Sequence, residues 1–405
     1  MMRTNGAPSW FREIRAEALR LYRELPWPTT AEEEWRRSDL SKLGLDALVG
    51  ALDRGSVDDL PASTTQLSAD IPTALGGKGL RFLDLEDAAS SEAGLLRPLL
   101  EARLASVGDR FAALSLAFGE GGLLVVPAGF GAENRGASRV DLRTSARGPA
   151  SALLLFVSAG ADSEIEIAQR VSGAAEGGLF VSYTGLGLAD ASRVSFREVQ
   201  ELSGTALSLR ELGSTLGSGA RLGHLDAELG ARFARSRALC SLAGSDAEAR
   251  LDGIFHCRPG VRFDLSTVQL HGAPRCTSRA LYKGAVEGGG QAVFRGLIEV
   301  AKGASGTDAF LANRNLLLGE GARADSLPTL RIGDNDVRCS HGSTTGRLSE
   351  DELFYLGTRG FGRREAREFL LLGWFEEALA ASGPEYSEAL LEDLRGRLGD
   401  IEEAA

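Results

Sequence analysis

Two hydrophobic periods divide this chain. Over residues 8–24, Trp10, Phe11, Ile14, Ala18, Leu21 and Tyr22 recur at three- and four-residue intervals with charges between them, which predicts an amphipathic helix. Pro26 and Pro28 stop it. Thr29 and Thr30 followed by EEEW read as the cap and first turn of a second helix, with carboxylates at its positive end. Residues 92–118 keep helical spacing through Leu95, Leu96, Leu99, Leu100, Leu104, Val107 and Phe111. Residues 50–80 mix Pro, Gly, Ser and Thr and carry no assignable period.

From about residue 113 to 337 the period falls to two, as in SEIEI at 163–167, RVSFREV at 193–199 and VRFDL at 261–265. A Gly followed by Ala or Val, then polar residues, then alternating strand recurs from Gly160, Gly219, Gly260, Gly303 and Gly321. The intervals are 59, 41, 43 and 18 residues, near multiples of about 20, the length of a short solenoid coil. A parallel β-helix is the arrangement this favours; a β-sandwich with irregular hairpins is the competing one. Helical spacing returns at Ser349, runs through Phe354, Tyr355 and Leu356 to Gly360, resumes over 363–381, and reappears in a Glu- and Leu-rich tail from Pro384. The expected fold is mainly β: an N-terminal helical domain over 1–112, a β-helix core over 113–337 and a C-terminal helical domain over 338–405.

Composition narrows the function. A formal net charge of -11 argues against a nucleic-acid surface, which needs a basic field. No apolar run reaches the roughly 18–20 residues that span a bilayer. The opening MMRTNGAPSWFREIR has no apolar leader segment, so the expectation is a cytoplasmic protein that binds neither nucleic acid nor membrane. The 51 glycines suit many tight corners.

No phosphate-binding GxxxxGK[ST] loop, dinucleotide fingerprint or nucleophile elbow is present. The four cysteines, Cys240, Cys257, Cys276 and Cys339, form no CxxC pair. His256–Cys257 is a weak pair, because adjacent strand residues face opposite ways. Cys339 and His341 are two apart, so an extended backbone puts thiol and imidazole on one face. A neighbouring imidazolium would favour the thiolate that binds iron or attacks sulfur. A buried cysteine beside a turn-bound histidine is the structural alternative, and spacing leaves both open. Asp334 and Asp336 would share a strand face, as a β-helix carbohydrate-active enzyme needs, but after Gly333 and around Asn335 they read as a turn. The C-terminal helices carry Phe354, Tyr355, Phe369, Trp374 and Phe375, an aromatic set suited either to a partner or to packing on the β-helix.

Five segments resemble the SufB/SufD family of iron–sulfur cluster assembly scaffolds. They are RCTSRALYKG at 275–284, RGLIEV at 295–300, NRNLLL at 313–318, and CSHGSTTGRL with ELFYLGTRG over 339–360, together with EEEWRRSDL near the N-terminus. The CSHG motif, Asn313 and Gly342 resemble the SufD branch, since the SufB pattern has a cysteine matching Asn313 and a glutamate matching Gly342. The resemblance implies a right-handed β-helix and a scaffold subunit rather than an enzyme. It implies a SufB-like partner and a SufC-like ATPase, with a transient iron–sulfur cluster formed between the two scaffold subunits near His341 and Cys339. The aromatic surface of the C-terminal helices makes them the expected docking site of that ATPase, with Phe354, Tyr355, Arg359, Phe369, Trp374 and Phe375 as the candidates. A homodimer of this chain is the alternative assembly. A flavin in the complex is compatible with the resemblance, but no residue marks its site.

Overall fold

A computed structural model describes residues 6–43, 65–133, 138–147, 149–173 and 177–398. Among them, strands alternate between two nine-stranded sheets, A and B, that face each other and form a parallel β-solenoid of about eight turns. Pairing is parallel except where Thr65–Asp70 and Arg81–Asp84 cap the N-terminal end antiparallel. No described helix is long and apolar enough to cross a membrane.

The coil is longer than the sequence period suggests. His341 lies opposite Leu311, Leu311 opposite Ala280 and Ala280 opposite Leu251, displacements of 30, 31 and 29 residues. Each coil holds two strands of about ten residues, so corners recur at half that interval. Gly219, Gly260, Gly303 and Gly321 take positive φ at some of these corners, but Asp162, Ala191, Ala231, Asp246 and Arg275 take positive φ at others. A left-handed backbone at a non-glycine residue costs roughly 1–2 kcal/mol, so these corners are held by the stacked coils and leave no glycine to read.

The coil interior is the main core. It stacks Leu155, Phe180, Phe196, Leu251, Phe263, Tyr282 and Phe294. Helices cover the outer faces. Helix α1 (Ser9–Glu24), α2 (Leu85–Ser91), α3 (Ala93–Ala105) and α4 (Arg110–Phe118) lie on the early coils of sheet B. The single helix expected over 92–118 breaks at 106–109, where Asp109 caps α4 by accepting from the Ala112 N–H at 2.8 Å. Strands then begin at Glu120 rather than 113.

Residues 30–37 form turns, not a helix. Trp35 is the one apolar anchor there, stacked 5.6 Å from Phe111 beneath the Arg235 guanidinium, and a single anchor makes no helical stripe. From the stretch without assignable period, residues 50–64 lie outside the described residues; Thr65–Asp70 is a strand, Thr73–Gly76 a single helical turn and Arg81–Asp84 opens another strand.

At the other end, Val337–Arg347 is a strand of sheet A, so Cys339 and His341 belong to the last coil. Helix α5 (Glu350–Thr358), α6 (Arg363–Leu379) and α7 (Pro384–Leu398) follow. Leu371, Phe375, Leu379, Leu390 and Leu394 pack on Val199, Leu225, Ile254 and Ala285 of sheet A.

Candidate functional site

The last coil is open. Val337–Arg347 is the edge strand of sheet A and Arg323–Ile332 that of sheet B. Register partners in a parallel sheet point the same way. Cys339, His341, Ser343 and Thr345 therefore continue the columns of Ala309, Leu311, Asn313 and Asn315. Those four are buried in the coil interior, whereas Cys339 is half-buried and His341 exposed, because no further coil among the described residues covers them. Strand alternation places thiol and imidazole on this same inward face.

Electrostatics differ from the expectation for Cys339. Burial raises its pKa above the usual thiol range, Asp308 adds to the rise, and a hydrogen bond to the Ala309 backbone offsets part of it. The resting group is a thiol, not a thiolate activated by its neighbour. Further along the same strand, beneath Ser343 and Thr345, the Asn315 amide donates to Asn313 Oδ1 at 2.8 Å and Asn313 Nδ2 donates to Tyr282 O at 3.3 Å. This amide pair forms the floor under the open end.

The other thiols and imidazoles are buried in the solenoid. Burial pushes Cys240 and Cys257 up to about 12. The Cys257 thiol donates to Val261 O, while His256 on the opposite face meets Glu287 Oε1 at 2.5 Å. His271 Nε2 meets Ser278 Oγ at 2.8 Å, and burial lowers its pKa to about 4. Asp334 shapes a corner, accepting from the N–H groups of Gly303 and Asp336 at 3.1 and 3.0 Å. No group of three or more His, Cys, Asp or Glu among the described residues is placed to hold a metal ion.

The aromatic candidates separate into two sets. Phe354 and Phe369 are 75% and 59% exposed, and Tyr355 is exposed with Arg359 donating to its hydroxyl at 2.9 Å. Phe361, which the sequence reading passed over, joins them 6.0 Å from Phe369. Phe375 is fully buried, and Trp374 is half-buried with Lys283 Nζ 4.4 Å over its ring. These two face sheet A, so packing rather than docking accounts for them.

Sequence reasoning also missed a charged cluster inside the coil. Arg210 of sheet B reaches Asp226 at 2.6 Å and is paired with Glu198 and Glu228 of sheet A, all buried. Burial raises Glu228 to about 7. Charged residues at period two read as outward-facing, so nothing local marks them as interior.

The family model for the SUF system FeS cluster assembly, SufBD core domain, matches residues 142–374, more than half of the chain. The chain belongs to the SufBD family. It is 36% identical over 185 residues to an iron–sulfur cluster assembly SufBD family protein of Mycobacterium leprae, covering 44% of this chain and 47% of that protein. A Mycobacterium tuberculosis SufBD family protein is 32% identical over 223 residues, covering 53% of this chain and 56% of that protein. The iron–sulfur cluster assembly protein SufD of Escherichia coli is 34% identical over 171 residues, covering 42% of this chain and 40% of that protein. The chain thus spans about half the length of the curated relatives it matches. The SufBD core covers the solenoid from residue 142 onward, the open last coil and most of α6.

Proposed function

We propose that this SufBD protein is a SufD-type scaffold subunit that joins a SufB-like subunit through its open last coil and an ATPase through α5 and α6. The observation that carries this reading is the unfinished column at Cys339 and His341. An edge strand with unpaired backbone groups and half-covered core positions invites another chain. A thiol and an imidazole at that edge are two ligands of the kinds that bind iron. Two side chains are too few to hold a cluster, so the remaining ligands come from the partner subunit. The cluster is cargo, assembled between the subunits and passed on. Cys339 loses its proton when it meets the metal, which burial otherwise opposes.

The chain has no phosphate-binding loop of its own, so nucleotide hydrolysis belongs to a partner. Exposed Phe354, Tyr355, Phe361 and Phe369 supply aromatic surface of the kind that anchors interfaces. Co-expression with a SufB-like and a SufC-like protein, followed by anaerobic iron and sulfide reconstitution, tests the reading. A stable complex that loads a cluster only when this chain is present is the expected result; equal loading without it overturns the proposal.

A further inference from the structure

A cleft of about 320 Å³ opens where the corner after strand Thr307–Leu317 meets the N-terminal ends of α5 and α6. Leu318, Leu348 and Leu353 make its apolar wall, and Arg347, Arg363 and Arg367 its cationic wall. Glu320 and Glu350 also line it. Glu350 is committed, accepting from both Arg363 terminal nitrogens at 3.0 and 2.9 Å.

Arg367 is left incompletely matched. One terminal nitrogen donates to Leu318 O at 3.0 Å, but its Nε is buried without a hydrogen-bond partner among the described residues. Burial lowers its pKa, Glu287 pulls it part of the way back, and the neighbouring Arg363 charge adds a smaller lowering. The guanidinium carries five N–H bonds and no lone pair; its Nε is sealed off, so an acceptor in the cleft would meet the terminal nitrogens of this lining residue. Arg347 ends the last strand on the same cleft and is exposed. The volume is at the lower end of small-molecule pockets, which run from roughly 300 Å³ upward.

We infer that this cleft binds a small phosphate-bearing anion, held between Arg367 and Arg347 with its apolar part against Leu318, Leu348 and Leu353. Arginine planes match phosphate oxygens in pairs. A phosphate group presents at least three oxygens in different directions and can pair bidentately with two guanidinium planes at once, whereas the two oxygens of one carboxylate suffice for a single bidentate pair. The site uses none of the Cys339 and His341 chemistry, and it is tested on the chain alone because α5, α6 and the end of the last coil line it and are also the surfaces proposed to meet partners.

Calorimetric titration of the full chain with inorganic phosphate, pyrophosphate and AMP, at constant ionic strength with a citrate arm, tests it. The expected result is saturable one-to-one binding of at least one phosphate compound, at least tenfold tighter than citrate. Arg367→Gln and Arg347→Gln should each weaken it tenfold or more. Arg347 is exposed, so its variant keeps the fold and decides the matter if Arg367→Gln unfolds. No saturable binding, citrate binding as tightly, or unchanged affinity in Arg347→Gln overturns the inference. A cleft filled instead by an acidic side chain of a partner protein gives the first of these outcomes.

Discussion

His341 lies in register with Leu311, one coil below, and the two are alike in orientation but opposite in environment. Leu311 is sealed in the core, while His341 is exposed at the end of the same column. A position that would be apolar in a continuing solenoid is imidazole where the solenoid stops. The core column thereby turns into a chemical surface.

Removing that imidazole should spare the fold. His341→Ala deletes an exposed side chain, so stability should change by less than about 0.5 kcal/mol. Cluster loading of the reconstituted complex should fall sharply, read from visible absorbance and iron content. A variant that loads normally contradicts the assigned role, as does one that unfolds.

The aromatic residues of α5 and α6 should respond in opposite ways. Combined Phe354→Ala and Phe369→Ala should leave thermal unfolding unchanged and weaken ATPase co-purification, since both rings stand in solvent. Phe375→Ala should destabilise the chain by about 3–5 kcal/mol, because a buried ring leaves a cavity. Denaturant unfolding and pull-down on the same variants check both.

The Arg210 cluster should give stability a pH dependence of unusual sign. Glu228 titrates near 7 in the fold against an ordinary value of 4.5. Between those values the folded chain holds a proton that the unfolded chain has released, so this group's contribution is full below about pH 4.5 and is lost as pH rises through 7. Glu228→Gln stays neutral throughout. The variant should gain stability relative to wild type as pH rises from about 5 to 8. A difference that is constant with pH, or that moves the other way, contradicts the assignment. The comparison isolates Glu228 from His271, whose lowered pKa acts in the opposite direction over an overlapping window.

The segment around Trp35 should be held by one buried carboxylate. Asp264 accepts from Arg235 at 3.1 Å and is also bound by Ser38 and Arg295. Asp264→Ala leaves two arginines without their shared partner and should cost about 3–5 kcal/mol. Faster proteolysis between residues 24 and 43 should accompany the loss. Unchanged cleavage would show that the Trp35 stack and the Arg37–Asp325 pair hold the segment without it.

The sequence carried the local physics of this protein. Helical stripes marked α1, α5 and α6, alternation marked the strands, and the CSHG motif with its flanking segments pointed to the SufBD family. Cys339 and His341 were legible as one face because strand geometry fixes i and i+2 together. What depended on distant contacts was not legible. The coil length was hidden because stacked neighbours hold Ala191, Ala231 and Arg275 in corner conformations that glycine would otherwise mark. The burial of Phe375 against sheet A, the exposure of Phe361 and the enclosure of Arg210 among three carboxylates arise from elements far apart in the chain. Periodicity tells a side chain which face it shares. Only the packed coils decide whether that face meets a helix, a partner charge or the open end, because burial is a property of what lies across the gap and not of the strand itself.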